Sequence, residues 1–133
     1  MISTAHVLRV WGALGRCFCT TMRYDHYGGG AMASRPGRLS EFEIATALAE
    51  LPGWKIEGDK LHREYKFADF VTAFAFMTGA ALVAQRMDHH PEWFNVWNTV
   101  RIDLQTHDAG GVTMLDVQLA QRMEELASRQ LGK

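Results

Sequence analysis

The fold is decided by the stretch Trp54-Lys55-Ile56-Glu57-Gly58-Asp59-Lys60-Leu61-His62-Arg63-Glu64-Tyr65-Lys66-Phe67. Apolar and polar residues alternate along its two halves, and a period of two is the pattern of strands with one buried and one exposed face. Gly58 and Asp59 lie between the halves, and such a pair is typical of a β-hairpin turn. The stretch therefore predicts two antiparallel strands, with His62 on their polar face.

The residues before the hairpin predict a short helix. Ser40 followed by Glu43 fits a capping box, in which each side chain accepts a hydrogen bond from the other residue's backbone. Apolar residues then recur at helical spacing until Pro52-Gly53, a pair that ends a helix. These apolar positions are Ile44, Leu48 and Leu51.

Residues 68–87, directly after the hairpin, predict a long helix that is apolar on most sides. One face carries Phe67, Phe70, Val71, Phe74, Ala81 and Leu82, and another carries Phe76, Ala80 and Val83. A helix of this kind has to be buried on most sides, so we expect one flank to meet the underside of the sheet or a partner subunit. Gly79 in its middle costs about 1 kcal/mol relative to alanine, and we expect a close approach of the backbone to offset that cost.

The second half of the chain predicts two more strands and a final helix. Residues 94–97 predict a short strand, Asn98-Thr99 a turn or bulge, and residues 100–106 an alternating strand that leaves His107 at its end, on the polar face. Thr113 with Asp116 opens a helix whose apolar stripe is Leu115, Leu119, Met123 and Leu126. The order α-β-β-α-β-β-α predicts an α+β fold, a four-stranded antiparallel sheet with helices on one face and the other face open.

Length, charge and cysteine content exclude several classes of protein. The chain has 133 residues, 47% of them apolar, which suits one globular domain. A net charge of -1 gives neither a basic field for direct binding of nucleic acid nor a polybasic membrane anchor. Cys17 and Cys19 are the two cysteines, and residues so close together do not readily form a disulfide with each other. We therefore expect no nucleic-acid partner, no membrane and no disulfide framework.

Residues 1–33 differ from the rest of the chain and are expected to lie outside the fold, which we place at residues 38–133. Three spaced arginines against a single acid resemble a mitochondrial transit peptide. Alternatively the true start is Met32, because a glycine triplet just upstream is what a purine-rich ribosome-binding site would give if it were translated. The second interpretation predicts a cytoplasmic protein, and the first a mitochondrial one.

Three of the six histidines, His89, His90 and His107, fall in one short window beside aromatic residues. Histidine has an unperturbed pKa of about 6.5, so it can both give and accept a proton near neutral pH. Adjacent side chains on an extended segment point to opposite sides, so His89 and His90 share a site only if the loop bends, and Pro91 restricts His90 to extended geometry. The cluster predicts proton-transfer chemistry, whereas we interpret His6, His26 and His62 as surface or hydrogen-bonded residues.

A metal site and a serine nucleophile are the alternatives to this interpretation. Three histidines with Asp88 and Asp108 nearby could supply metal ligands, but the helical H-x-x-x-H and H-E-x-x-H spacings are missing. A serine nucleophile has less support, because the chain lacks a G-x-S-x-G elbow. We therefore expect no metal and no cofactor.

The histidine window also carries a resemblance to a known family. The run Asp88-His89-His90-Pro91-Glu92-Trp93-Phe94-Asn95-Val96-Trp97-Asn98, followed by Val100-x-Ile102-x-Leu104-x-Thr106-His107-Asp108, resembles the signature of pterin-4a-carbinolamine dehydratase. The upstream residues 67–70 and 73–78 fit the family as well, and the likeness covers residues 38–130. It implies a lyase that dehydrates 4a-hydroxytetrahydropterin to quinonoid dihydropterin.

The resemblance also implies roles for single residues. His89 and His107 would be the acid/base pair, and His90 would hold the pterin as a third catalytic residue. Asp88 and the segment Gln105-Thr106-His107-Asp108 would line the substrate site, together with the two adjacent histidines. Trp93 would be either an aromatic wall of the site or an anchor in the core. Asp116 matches a family aspartate near the site, but its spacing from Thr113 ranks helix capping first and catalysis second.

Two positions depart from the family's pattern. The family often has glutamate four residues before its first histidine, where this chain has Gln85, so Asp88 or Asp108 would have to supply the supporting charge. The family also favours a basic residue before the aspartate, where this chain has Leu115.

The resemblance further implies partners. A homodimer or homotetramer is expected, as is an aromatic amino acid hydroxylase as the possible source of the pterin substrate. The alternative function is a non-catalytic dimerisation or transcriptional-cofactor module of the same fold. Intact histidines favour the enzyme.

Overall fold

The computed structural model describes residues 36–131, and over that range it contains three α-helices and four strands. The elements are α1 (Glu41–Ala49), β1 (Lys55–Glu57), β2 (Lys60–Lys66), α2 (Phe70–Met87), β3 (Glu92–Val96), β4 (Thr99–Leu104), a short 3₁₀ helix (His107–Ala109) and α3 (Met114–Leu131). This confirms the predicted order and the α+β class. The predictions for residues 1–33, including Cys17, Cys19, His6, His26 and a start at Met32, lie outside the described residues.

The sheet is antiparallel throughout, in the order β1-β2-β4-β3. Leu61 pairs with Leu104 and Tyr65 with Val100, so the buried residues of β2 and β4 share one face. The other face carries charged and polar residues: His62, Glu64, Lys66, Arg101 and Asp103. The alternation along β2 and β4 therefore sorts these two strands into a helix-covered face and an open face, as predicted, whereas all three residues of β1 are exposed.

The core lies between the sheet and the helices. Tyr65, Phe67 and Phe76 form its aromatic centre, with ring centroids 5.0 to 5.9 Å apart. The Tyr65 hydroxyl and the Trp54 indole N–H both donate to one carboxylate oxygen of Glu124 on α3, at 2.6 and 2.9 Å. Glu124 therefore satisfies two aromatic donors of the sheet side and ties α3 to it.

Helix α1 begins with the predicted capping box. The Ser40 hydroxyl accepts from the Glu43 backbone at 3.3 Å, and the Glu43 carboxylate accepts from the Ser40 backbone at 2.8 Å. The hydrogen bonds that the Ser40 backbone and hydroxyl donate to the Glu43 carboxylate hold the pKa of Glu43 below its usual range. The helix ends at Ala49, two residues before the buried Leu51.

Helix α2 buries only one of its two apolar faces. Its buried residues are Ala73, Phe76, Ala80 and Ala84, whereas Phe70, Val71, Phe74 and Leu82 are exposed. By length and composition alone α2 could cross a membrane, but its small residues pack into the core of this domain. The expectation of burial on most sides is therefore not met within one chain.

Gly79 does not mark a close backbone approach. A Cβ added there would lie 3.5 Å from the nearest side-chain atom of Leu126, which is an ordinary van der Waals contact. The prediction that close approach offsets the cost of this glycine is therefore wrong.

The β3–β4 turn lies one residue earlier than predicted. Val96 pairs with Thr99, so Trp97 and Asn98 form the two-residue loop, and Trp97 takes the left-handed conformation at φ 48°. The Asn95 side chain donates to the carbonyls of Trp97 and Thr99, at 3.1 and 2.9 Å. These bonds stabilise the loop, and Thr99 becomes the first residue of β4.

Candidate active site

The site begins where α2 ends. Asp88 caps the helix in the left-handed conformation (φ 50°), which aspartate tolerates better than most residues. The His89 backbone then donates back to the Ala84 carbonyl at 3.1 Å, a bond that closes the last turn. The chain therefore bends at Asp88, and the two following histidines leave the helix end toward different partners.

His89 is buried and paired with a buried carboxylate. Its side chain enters the interior with 7% of the residue exposed, and its Nε2 lies 2.7 Å from Oδ1 of Asp116, which is fully buried. A charged residue in such a place has to be paired and hydrogen-bonded. Residues from the end of α2 and the start of α3 thus form one polar unit inside an apolar core.

The second oxygen of Asp116 serves α3. Oδ2 accepts from the Thr113 backbone at 2.7 Å, which is the predicted capping contact. It also accepts from the hydroxyls of Thr106 and Thr113, at 2.9 and 3.2 Å. Asp116 is therefore a helix cap on one oxygen and the partner of His89 on the other.

These contacts decide the charge of Asp116. Burial raises its pKa, but hydrogen bonds from His89, Thr113 and Thr106 outweigh that effect, so the pKa lies below its usual range. An ionised carboxylate only accepts hydrogen bonds, so Nε2 of His89 carries the hydrogen between them. Nδ1 of His89 is then the nitrogen that can take up or release a proton.

His90 lies on the surface beside Gln85. Its Nε2 is 3.1 Å from Oε1 of Gln85, one turn back along α2. Gln85, which stands where the family often has glutamate, therefore contacts His90 rather than His89. Asp116 is a carboxylate that contacts His89, and a supporting charge from Asp88 or Asp108 stays a prediction.

His107 lies beyond the strand rather than on it. β4 ends at Leu104, and His107 opens the 3₁₀ helix with 73% of its side chain exposed. Its Nε2 is 3.6 Å from Oε1 of Glu92, the first residue of β3. The prediction of a residue at the end of a strand's polar face is therefore wrong in detail, although His107 remains at that end of the sheet.

The remaining predicted residues separate into buried and exposed positions. Thr106 is buried at 6% exposure and bonds within the Asp116 network. Trp93 is half-buried and packs against the core from β3, as an anchor would. Asp88 and Asp108 are exposed and Gln105 is half-buried. His62 lies on the open face with its Nδ1 2.7 Å from Asp103, which confirms a hydrogen-bonded histidine outside the cluster.

The described part of the chain contains no set of side chains that could bind a metal ion together. No three His, Cys, Asp or Glu side chains of residues 36–131 converge as ligands. The three candidate histidines instead have separate partners: Asp116, Gln85 and Glu92.

Comparison with known proteins decides the family. Residues 37–126 match the model of the pterin 4 alpha carbinolamine dehydratase family. The chain belongs to this family. One relative comes from Solibacter usitatus and is provisionally named pterin-4-alpha-carbinolamine dehydratase. It is 60% identical over 68% of this chain and 96% of its own length.

Two further relatives support membership of the same family. A provisionally named pterin-4-alpha-carbinolamine dehydratase from Rhizobium johnstonii is 50% identical over 69% of this chain and 93% of its own length. The crystal structure of a transcriptional coactivator/pterin dehydratase from Brucella melitensis is 48% identical and superposes with a TM-score of 0.67, covering 68% of this chain and 99% of the other. The family resemblance expected from the histidine window is therefore confirmed.

Proposed function

We propose that this protein removes water from a 4a-hydroxytetrahydropterin and releases quinonoid dihydropterin, with histidine side chains carrying the protons. Family membership supports the dehydratase class. The buried contact between His89 and Asp116 is the observation that carries the histidine role. In the reaction the C4a–O bond breaks, the hydroxyl leaves as water after accepting a proton, N5 loses its proton, and a C4a=N5 double bond forms.

His89 is suited to one of these two proton transfers. The ionised Asp116 orients its ring, because Nε2 of His89 donates to Oδ1 at 2.7 Å. Nδ1 then exchanges the proton, while Nε2 stays on the carboxylate. A positioned general acid or base of this kind typically contributes about 10²- to 10⁴-fold in rate.

His107 is proposed for the second transfer, and its exposed ring is open to a ligand. One imidazole protonates the leaving hydroxyl and the other accepts the N5 proton. His90, on the surface one residue from His89, is proposed to hold the pterin, with Asp88, Gln105 and Asp108 at the rim of the site. Thr106 acts through Asp116 rather than on the substrate.

The test is a direct assay of dehydration. A 4a-hydroxytetrahydropterin is generated by an aromatic amino acid hydroxylase, and its decay is followed by absorbance with and without the protein. The proposal predicts acceleration in proportion to the protein concentration. An unchanged decay would contradict it.

A binding role is the second candidate, favoured by two observations. The Brucella melitensis protein is described as a transcriptional coactivator as well as a dehydratase. In addition, α2 exposes Phe70, Val71, Phe74 and Leu82, more apolar surface than a helix facing only water would be expected to carry. If replacing His89 abolishes dehydration of the pterin while a protein partner still binds, the binding role is separate from catalysis.

The same face supports the proposed self-association into a dimer or tetramer. Phe70 and Phe74 pack with ring centroids 5.6 Å apart and ring planes tilted by 31°, so they present one continuous apolar surface. Covering such a surface with its copy in a second subunit is the arrangement of an isologous interface.

A further inference from the structure

Three charged or titratable side chains from three different elements meet at one end of the open sheet face. Lys60 is the first residue of β2, Glu92 is the first residue of β3, and His107 opens the 3₁₀ helix that follows β4. The Lys60 ammonium donates to Oε2 of Glu92 at 2.6 Å. The other carboxylate oxygen, Oε1, lies 3.6 Å from Nε2 of His107.

The strand register produces this meeting. Leu61 pairs with the last residue of β4, Leu104, so Lys60 begins its strand just beyond the end of β4. Glu92 pairs with Asp103 and so lies on the open face at the same end of the sheet. The chain passes from that end of β4 to His107 within three residues. The contact is therefore fixed by the backbone of three strands.

The carboxylate of Glu92 is shared, with one oxygen for each cationic group. Its hydrogen bond raises the pKa of Lys60, with a further contribution from the charge of Asp103, so the ammonium stays charged. Because Lys60 donates to Oε2, the other oxygen, Oε1, is the one that faces Nε2 of His107, at the distance of an ion pair. A carboxylate beside one ring nitrogen favours the tautomer of the imidazole that carries its hydrogen on that nitrogen.

The arrangement parallels that of the other proposed catalytic histidine. His89 faces Asp116 through Nε2, and His107 faces Glu92 through Nε2. In both cases Nδ1 is the nitrogen turned away from the carboxylate. The difference lies in burial, because Asp116 is fully buried whereas the Glu92 side chain is 47% exposed.

We infer that Glu92, anchored by Lys60, is a positioning residue for His107, which it orients so that Nδ1 exchanges the proton with the pterin. This inference rests on the proposed function. In this role Glu92 acts on the reaction through His107 alone.

The kinetic test is a double-mutant cycle. Glu92→Gln is expected to lower kcat roughly threefold to tenfold with KM changed less than about twofold, a modest effect because the pair is exposed. In the His107→Ala background the same substitution is expected to cause no further loss. Glu125→Gln, which removes an exposed carboxylate from the Arg122 pair at 3.1 Å, is the control and should leave kcat unchanged.

A second anchor variant tests the role of the lysine. Lys60→Met is expected to lower kcat about twofold, and again only when His107 is present. Lys55→Met removes the corresponding lysine from the Glu57 pair on the neighbouring strand and serves as its control. Equal losses with and without His107 for either Glu92→Gln or Lys60→Met would overturn the inference, because a structural defect acts in both backgrounds.

A measurement that does not depend on activity keeps the two proposals distinguishable. Nitrogen-15 spectra of the His107 ring, assigned by their loss in His107→Ala, are recorded at alkaline pH, where they report which ring nitrogen carries the hydrogen. In Glu92→Gln the hydrogen is expected to lie on Nδ1 in a larger share of the molecules than in the wild type, because Nε2 has lost its carboxylate neighbour. If the wild type accelerates dehydration but the ring does not respond, the inference alone is overturned. If the ring responds but dehydration is not accelerated, the proposed function is overturned and the positioning role with it.

Discussion

His89 and Asp116 lie 27 residues apart in the chain and meet in the buried interior, ring nitrogen to carboxylate oxygen, at 2.7 Å. The pair joins the end of α2 to the start of α3, and the second carboxylate oxygen of Asp116 accepts from the Thr113 backbone as the cap of α3. One carboxylate therefore serves both the structure and the proposed catalysis.

The first prediction concerns the stability that Asp116 contributes. Asp116→Asn is expected to lower the free energy of unfolding at pH 7 by about 2–3 kcal/mol, because a buried, charge-assisted set of hydrogen bonds is lost. Urea unfolding followed by circular dichroism measures it. Asp103→Asn, which removes the charge from the part-buried contact with His62 at the same 2.7 Å, should cost much less, because Asp103 is far more exposed than Asp116.

The pH dependence of this difference follows from the lowered pKa of Asp116. A carboxyl whose pKa is lower in the folded than in the unfolded state contributes stability above its unfolded pKa, near 3.9. That contribution is lost as the pH falls through the folded value. The gap in stability between wild type and Asp116→Asn should therefore be constant above about pH 5 and shrink below about pH 4. A gap that widens on acidification would contradict the assigned charge.

Adjacent glutamates of α3 offer a matched pair for the second prediction. Glu124→Ala leaves the Trp54 N–H and the Tyr65 hydroxyl without their acceptor, so a loss of about 2–3 kcal/mol is expected. Glu125→Ala removes only the exposed contact with Arg122, and its effect should stay within about 0.5 kcal/mol. Equal effects in urea unfolding would show that the buried donors find other partners.

The third prediction uses the space around Gly79. Gly79→Ala is expected to stabilise the protein by roughly 0.5–1 kcal/mol, because the added methyl group meets Leu126 at an ordinary contact distance. Gly58→Ala is the opposite case: its φ of 61° disfavours a side chain although nothing lies near, and a loss of about 1 kcal/mol is expected. Thermal unfolding of both variants measures the sign of each change in stability, and a destabilised Gly79→Ala protein would contradict the prediction that the methyl group fits beside Leu126.

The fourth prediction addresses the exposed face of α2. If this face covers its copy in a second subunit, Phe74→Ser, at a side chain that is 54% exposed here, should shift the assembly toward monomer. Light scattering after size-exclusion chromatography measures the mass. Phe42→Ser on α1, which is 82% exposed, is the control and should leave the mass unchanged. A monomeric wild type would contradict the proposed assembly.

Local patterns were sufficient to predict most of the fold. The alternation around Gly58-Asp59 and the capping box of Ser40 and Glu43 depend on contacts between near neighbours, and both are found as predicted. The β3–β4 turn failed by one residue because the Asn95 side chain bonds the carbonyls around Trp97, which a propensity argument for Asn98-Thr99 does not include.

The site was less accessible from the sequence than the fold. The spacing of Thr113 and Asp116 indicates a cap, but the contact of Asp116 with His89 depends on how α2 and α3 pack, which no local pattern specifies. The contact between His107 and Glu92 likewise depends on strand register. Sequence reasoning named the histidines and ranked Asp116 first as a helix cap, but it did not find the contacts of Asp116 with His89 and of Glu92 with His107.

The central claim is that His89, oriented by Asp116, carries a proton in pterin dehydration, and His89→Ala tests it most directly. The measurement is the rate of loss of 4a-hydroxytetrahydropterin at neutral pH for the wild type, His89→Ala and the control His62→Ala, each first shown to be folded by circular dichroism. We predict that His89→Ala is at least about tenfold slower than the wild type, while His62→Ala, whose ring pairs with Asp103 on the open face, keeps the full rate. A folded His89→Ala protein that dehydrates the pterin at the wild-type rate would contradict the claim.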